Sequence, residues 1–268
     1  MITKTLLLGA AAIGFAAPAF AQEPEAEAPV QNSALEEVLA NVPKLLNKHW
    51  QANWDIEASM GEEAGPKVKI GVKYMDKNHF SLDLNVVIPD EFEEQSMSFS
   101  AIADGTYLFL NSPNMAEVSG GMAQGPIKVE LATLWKMVAM GTDGMMSEGG
   151  VSEDALAGMV RAAANQFTFV EEGSTEGIKR FVIGNEEMSG NVSFYAESWL
   201  PKAMEITAKG EMGGMTMTTS DSKIVESFPE GTFAFTPDEG GTVMDLTPML
   251  QMQLNQMGGG ADEEDLEF

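Results

Sequence analysis

Residues 67–88 read KVKIGVKYMDKNHFSLDLNVVI, and this stretch decides the fold. Val68, Ile70, Val72 and Tyr74 occupy every second position with Lys67, Lys69 and Lys73 between them, and Phe80, Leu82, Leu84, Val86 and Ile88 resume the pattern after Asp76-Lys77-Asn78. A period of two is the mark of a strand with one face in a core and the other in water. Working outward, Trp54, Ile56, Ala58 and Met60 share a face before it, and Met97, Phe99 and Ala101 follow it into Asp104-Gly105, a hairpin turn signal from which 107–110 returns. Neighbouring strands with one apolar face predict an antiparallel sheet covered on one side.

The chain around these strands changes period. Asn32-Ser33 ahead of Ala34-Leu35-Glu36-Glu37 marks a helix start, and Leu35, Val38, Leu39, Val42, Leu45 and Leu46 recur at helical spacing, with Pro43 expected to kink the helix rather than end it. Further on, Ile127, Leu131, Leu134, Trp135 and Val138 fall on one helical face. Ser152-Glu153-Asp154 then opens a second helix carrying Leu156, Met159, Val160 and Ala163. The two are expected to cover the open face of the sheet. Strands resume over 167–170, 178–183, 191–195, 203–209, 215–219 and 232–235. Their short links leave no room for parallel crossovers, and no repeat of fixed length appears. The class is therefore α+β.

The amino end reads as an export signal. Lys4 precedes an apolar run over 6–17 that is shorter than the roughly 20 residues of a membrane span. Pro18 and Ala19-Phe20-Ala21 then place cleavage after Ala21. No Cys follows to carry a lipid anchor, so the periplasm is the expected compartment, with full secretion as the alternative. Residues 22–32 form an acidic Pro/Ala-rich linker, 33–257 a single domain with a helical insertion at about 126–165, and 258–268 an acidic disordered tail.

With 41 acidic against 15 basic residues and a formal charge of −26, nucleic acid is excluded as a partner, and an anionic membrane surface would repel the chain. The absence of cysteine removes disulfides, thiol nucleophiles and cysteine metal sites. His49 and His79 are the only histidines. His49, beside Trp50 at the expected end of the first helix, suits a structural role, and His79 has no companion at metal spacing. Asp76-Lys77-Asn78 lacks the further oxygens of a calcium loop, and no nucleophile elbow or phosphate loop occurs. Glu93-Glu94 and Glu171-Glu172 read as solvated loops. The chain is expected to be no enzyme and to carry no cofactor or metal.

Three segments resemble a known family. Ala103-Asp104-Gly105-Thr106-Tyr107-Leu108-Phe109-Leu110-Asn111-Ser112-Pro113, Trp199-Leu200-Pro201-Lys202-Ala203-Met204-Glu205-Ile206 and Phe233-Ala234-Phe235-Thr236-Pro237 are similar, in order and spacing over about 33–245, to motifs of the LolA-like lipoprotein-carrier superfamily. That group includes LolB, RseB and mycobacterial lipid-binding lipoproteins. The stretch at 75–81 keeps the family's apolar position at Phe80 but has neither of its arginines, so the chain resembles a divergent member.

The resemblance implies a curved antiparallel sheet forming an incomplete β-barrel, with an N-terminal helix and an inserted helical lid, around a cavity for acyl chains. Phe80, Leu82, Leu84 and Phe99 on the sheet and Leu134, Trp135, Met137 and Val138 on the lid are the candidate ligand-cavity residues. Twenty methionines, with Met115, Met122, Met137, Met140, Met145 and Met146 in or beside the insertion, suit a surface that adapts to irregular apolar ligands, although Met also serves as ordinary core. The expected function is a soluble periplasmic carrier of lipid or lipoprotein acyl chains. The alternative is a non-enzymatic regulatory module that contacts an envelope protein with the same fold.

Overall fold

The computed structural model describes residues 33–60, 63–89, 95–141, 152–164, 167–208, 213–237 and 241–258. The export signal, the linker, Glu93-Glu94, Met145, Met146 and the tail from 259 onward lie outside them.

Twelve strands form one sheet: β1 (Trp50–Met60), β2 (Glu63–Asp76), β3 (His79–Ile88), β4 (Gln95–Asp104), β5 (Tyr107–Asn111), β6 (Ile127–Glu130), β7 (Thr168–Thr175), β8 (Ile178–Gly184), β9 (Met188–Tyr195), β10 (Pro201–Ala208), β11 (Gly214–Ile224) and β12 (Met244–Asp245). The spatial order is β12-β6-β5-β4-β3-β2-β1-β11-β10-β9-β8-β7. Two antiparallel meanders, β1 to β6 and β7 to β11, are thus joined along the β1–β11 ladder, which runs from Trp50 opposite Ile224 to Ser59 opposite Gly214. Among the described residues the end strands β12 and β7 do not pair with each other, so the sheet is an incomplete barrel. The β12–β6 pair is parallel, an exception to the antiparallel expectation, and spans only Met244 and Asp245.

Register lines the apolar side chains into rows. One row runs Trp50–Tyr74–Phe80–Ala103–Leu108–Val129 and the next Ala52–Val72–Leu82–Ala101–Leu110–Ile127. Except for half-buried Phe80, both rows are buried. Phe181, Phe194 and Leu200 anchor the second meander at 0–1% exposure. Burying a side chain of this size contributes about 1.5–3 kcal/mol.

Helix α1 (Ser33–Asn41) buries Ala34, Leu35, Val38 and Leu39. At Pro43, which has no N–H to donate, the α winding gives way to a 3-10 turn over Val42–Asn47 rather than merely kinking. Trp50 Nε1 donates to the Leu45 carbonyl at 3.2 Å and the Tyr74 hydroxyl to the Leu46 carbonyl at 3.3 Å, which fixes this turn over the first row. His49 therefore follows the turn instead of capping a helix, and its Nδ1 lies 3.0 Å from the Glu226 carbonyl oxygen. Four further helices are α2 (Met115–Val118), α3 (Leu131–Gly141), α4 (Glu153–Ala164) and α5 (Thr247–Gly258). Helix α4 packs on α1 and the 3-10 turn, with Arg161 Nη2 3.2 Å from Glu36 Oε2 and Asn47 bonded to Glu153.

Four sequence expectations need correction. Ile127 belongs to strand β6, because Ile127 and Val129 turn inward and give Leu110 and Leu108 their cross-strand partners. Residues 232–235 form no strand: Phe233 is buried against His79 and Phe228, and Phe235 stacks on Phe109 at 4.6 Å, so this stretch is held by aromatic contacts instead of a ladder. Glu171 and Glu172 lie on strand β7, at a sheet edge, and are exposed. The expectation that the inserted helices together cover the sheet is met unevenly, since α3 packs against β6 and α5 while α4 lies with α1.

Trp199 takes a φ of 63°, a left-handed conformation costly for a bulky residue. Its N–H donates to the Tyr195 carbonyl at 2.8 Å, and its ring packs against Phe181 and Phe194.

Candidate ligand site

The apolar face is covered unequally. Beyond the two buried rows, a third runs Trp54–Ile70–Leu84–Phe99, a fourth Met204–Met217–Ile56–Val68–Val86–Met97, and a fifth Ile206–Met215–Ala58. Trp54, Ile70 and Met204 are buried. Leu84, Phe99, Ile56, Val68, Val86, Met217, Met215, Ala58 and Ile206 are half-buried, and Met97 is 42% exposed. The opposite face carries Asp55, Glu57, Lys67 and Lys69, paired as Lys67 with Glu57 at 3.3 Å and Lys69 with Asp55 at 3.9 Å. A sheet side that is polar on its outer face and apolar on its half-open inner one can hold an apolar ligand on the inner side.

The candidate residues fall in three places. Leu82 is core, at 3% exposure, and Phe80 lies in the row nearest the β2–β3 turn. Leu84 and Phe99 face each other in the third row. Leu134, Trp135, Met137 and Val138 are half-buried on α3. That helix starts at the turn end of the sheet, where Leu131 N donates to the Thr106 carbonyl at 2.9 Å and Trp135 Nε1 donates to Asn78 Oδ1 at 3.3 Å. Phe80, two residues after Asn78, is thus the sheet candidate nearest in register to the helical set, whereas Leu84 and Phe99 lie further along the strands.

Two hollows border these residues. One of about 540 Å³ crosses β1 to β5 and is lined mainly from the polar face, by Asn53, Asp55, Lys69, Asp83, Asn85, Ser98 and Ser100, with Leu84 and Phe99 of the third row also at its wall. The other, about 620 Å³, lies among Leu46, Asn47, Tyr74, Asp76, Glu153 and Asp154. At its edge burial opposes ionisation of Asp76, but the backbone N–H groups of Asn78 and His79 and the His79 ring outweigh it and hold the carboxyl below its ordinary value. Burial, reinforced by the Asp76 charge, pushes the Tyr74 phenol up to about 12. Among the described residues no group of three or more His, Asp and Glu could hold a metal ion, and no helix is long and apolar enough to cross a membrane.

Sequence reasoning missed two features of the apolar face. Trp54 Nε1 and Ser222 Oγ are shut off from solvent and have no hydrogen-bond partner among the described residues. A buried polar atom left so costs about 1–3 kcal/mol. No sequence signal distinguishes Trp54 from the other core tryptophans.

No protein-family model and no curated protein matches the chain. Solved structures do. The chain is similar to an uncharacterized conserved protein from Thermus thermophilus at 10% identity, covering 78% of this chain and 98% of that one with a TM-score of 0.39. It is similar to LprF from Mycobacterium bovis at 11% identity, covering 74% and 97% with a TM-score of 0.37. It is also similar to a LolA superfamily protein from Nitrosomonas europaea at 12% identity, covering 75% and 98% with a TM-score of 0.26.

Proposed function

We propose that the protein is a non-enzymatic carrier of the bacterial periplasm that holds the acyl chain of a lipid or lipoprotein against the open rows of its sheet. One observation carries the reading: an apolar face that is closed over its first two rows remains half-open over the next three, without charged side chains in those rows. The open rows extend over six strands, β4 to β10 in spatial order, which at a spacing of roughly 4.8 Å spans about 24 Å. A long acyl chain laid across the strands fits that width, and each buried methylene contributes about 0.8 kcal/mol. Met97, Met204, Met215 and Met217 supply adaptable contacts along it.

The test is native mass spectrometry of protein purified from a cell envelope, followed by extraction of what it carries. Lipid at near one per chain supports the carrier. A chain that is persistently empty of lipid and retains a protein partner instead replaces this reading with the regulatory one.

A further inference from the structure

The two unpartnered atoms belong to residues that are diagonal neighbours on one face of the β1–β11 ladder. Ala52 faces Ser222 across the β1–β11 ladder, and Trp54 is the next β1 residue on the same face, where the ladder slips between Asn53 and Trp54. Ala52 belongs to a closed row and Ile56, two residues beyond Trp54, to an open one. The atoms therefore mark the boundary at which cover ends and the half-open strip begins.

A phenylalanine would fill the space of the Trp54 ring without burying an N–H, and an alanine would replace Ser222 without burying a hydroxyl. Buried polar atoms in native proteins are paired almost without exception, so two such atoms on diagonal neighbours of one ladder in a proposed ligand site point to an acceptor supplied by the ligand. The indole only donates, and the hydroxyl can donate alongside it. Neither carries charge. Lys67, Lys69 and Lys73 alternate onto the opposite face, and Lys179 is engaged by Glu37. A carboxylate placed here would lack a countercharge, whereas a neutral carbonyl needs none.

We propose that Trp54 Nε1 and Ser222 Oγ receive the ester or amide carbonyl of the bound acyl lipid, whose hydrocarbon chain runs from there along the open rows. The proposal rests on the acyl-chain reading above and deepens it by fixing the chemistry and direction of the ligand. A ligand held this way is an acyl ester or amide, not a bare hydrocarbon or an ionised fatty acid.

The full chain is loaded with a fluorescent acyl probe and titrated with methyl palmitate, hexadecane or palmitate at neutral pH. Methyl palmitate is expected to displace the probe at about tenfold lower concentration than hexadecane, the effect of one well-made hydrogen bond. Trp54→Phe and Ser222→Ala each bring the ester to within about threefold of hexadecane, the two ligands being compared on the same variant. The indole N–H resonance that Trp54→Phe removes shifts downfield with methyl palmitate and stays in place with hexadecane. Equal displacement by ester and alkane, a preference that survives Trp54→Phe, or preferred binding of palmitate overturns the carbonyl contact and leaves the carrier reading standing. Failure of the protein to take up the probe or any of the three ligands overturns the carrier reading itself, and this proposal with it.

Discussion

The indole Nε1 of Trp135 donates to the side-chain oxygen of Asn78 at 3.3 Å, tying a helix that follows the sixth strand to the turn between the second and third. The bond spans 57 residues of sequence. Trp135→Phe keeps the ring and removes the donor, and should lower unfolding stability by about 1 kcal/mol in urea titrations. An unchanged midpoint would show that the helix is held on the sheet by apolar packing alone.

The unequal cover of the apolar face predicts two kinds of response to substitution. Val86→Lys, in a half-open row, should abolish lipid retention in native mass spectrometry while shifting stability by less than about 1 kcal/mol, because a lysine there can reach water. Phe181→Ala, at 0% exposure, should cost about 3–5 kcal/mol by leaving a cavity. If Val86→Lys unfolds the protein as Phe181→Ala does, the row is core and not a site.

Tyr74 gives the fold an alkaline limit. Its phenol, raised from 10.0 to about 12, stays neutral in the folded state after it would ionise in the unfolded chain. Its contribution to stability is complete below pH 10 and is lost as the pH rises toward 12. Tyr74→Phe should remove the phenolate absorbance step that appears near pH 12, and should flatten the loss of stability between those values. A phenolate step from Tyr74 near pH 10 would contradict its burial.

Asp76 acts at the acid end with the opposite sign. Its folded-state value lies below the ordinary 3.8 of an aspartate, so the stability it adds is present above that pH and is lost as the pH falls through the lower folded value. Asp76→Asn should therefore weaken the fold at neutral pH and reduce the acid sensitivity of the urea midpoint. Identical acid profiles for the two proteins would mean that the bonds from Asn78 N and His79 do not hold the carboxylate.

Gly105 shows how tightly the turn end is built. Its φ is +101°, and a Cβ there would lie 2.6 Å from His79 Nε2. Its own N–H donates to the Asn78 carbonyl at 2.8 Å. Gly105→Ala should lose about 1–3 kcal/mol by thermal unfolding, from backbone strain together with displacement of the His79 ring.

The strands with strict alternation were legible because period two is a direct record of which face is buried, and 68–74 and 80–88 needed nothing more. Strand β6 was not, because Ile127, Leu131 and Leu134 satisfy a helical spacing as well, and four residues are too few to decide between periods. At 232–235 the alternation of Phe233 and Phe235 is real, but the neighbours are the rings of His79, Phe228 and Phe109 rather than another backbone. Helix α5 left a readable start in Asp245-Leu246-Thr247-Pro248, where Asp245 Oδ1 accepts from Thr247 N at 2.9 Å and Pro248 stands in the first turn. Of the candidate site, residue type and face could be read, and which rows the helices leave open could not. That depends on where α3 and α4 dock, which no local pattern encodes.

The ladder between β1 and β11 has a consequence for how the protein is made. Its first strand is flanked on one side by its immediate successor and on the other by a partner that begins at Gly214. Everything from β2 to β10 hangs in the loop this pairing closes. Loop length raises the entropic cost only logarithmically, so the finished sheet loses little stability, but pairing over such separations is slow. Until the eleventh strand arrives, the second edge of β1 stands open with Trp50, Trp54 and Ile56 beside it. A nascent chain of this topology keeps its central strand half-paired until Gly214 and the residues after it have been made, so the sheet closes late in synthesis and not strand by strand.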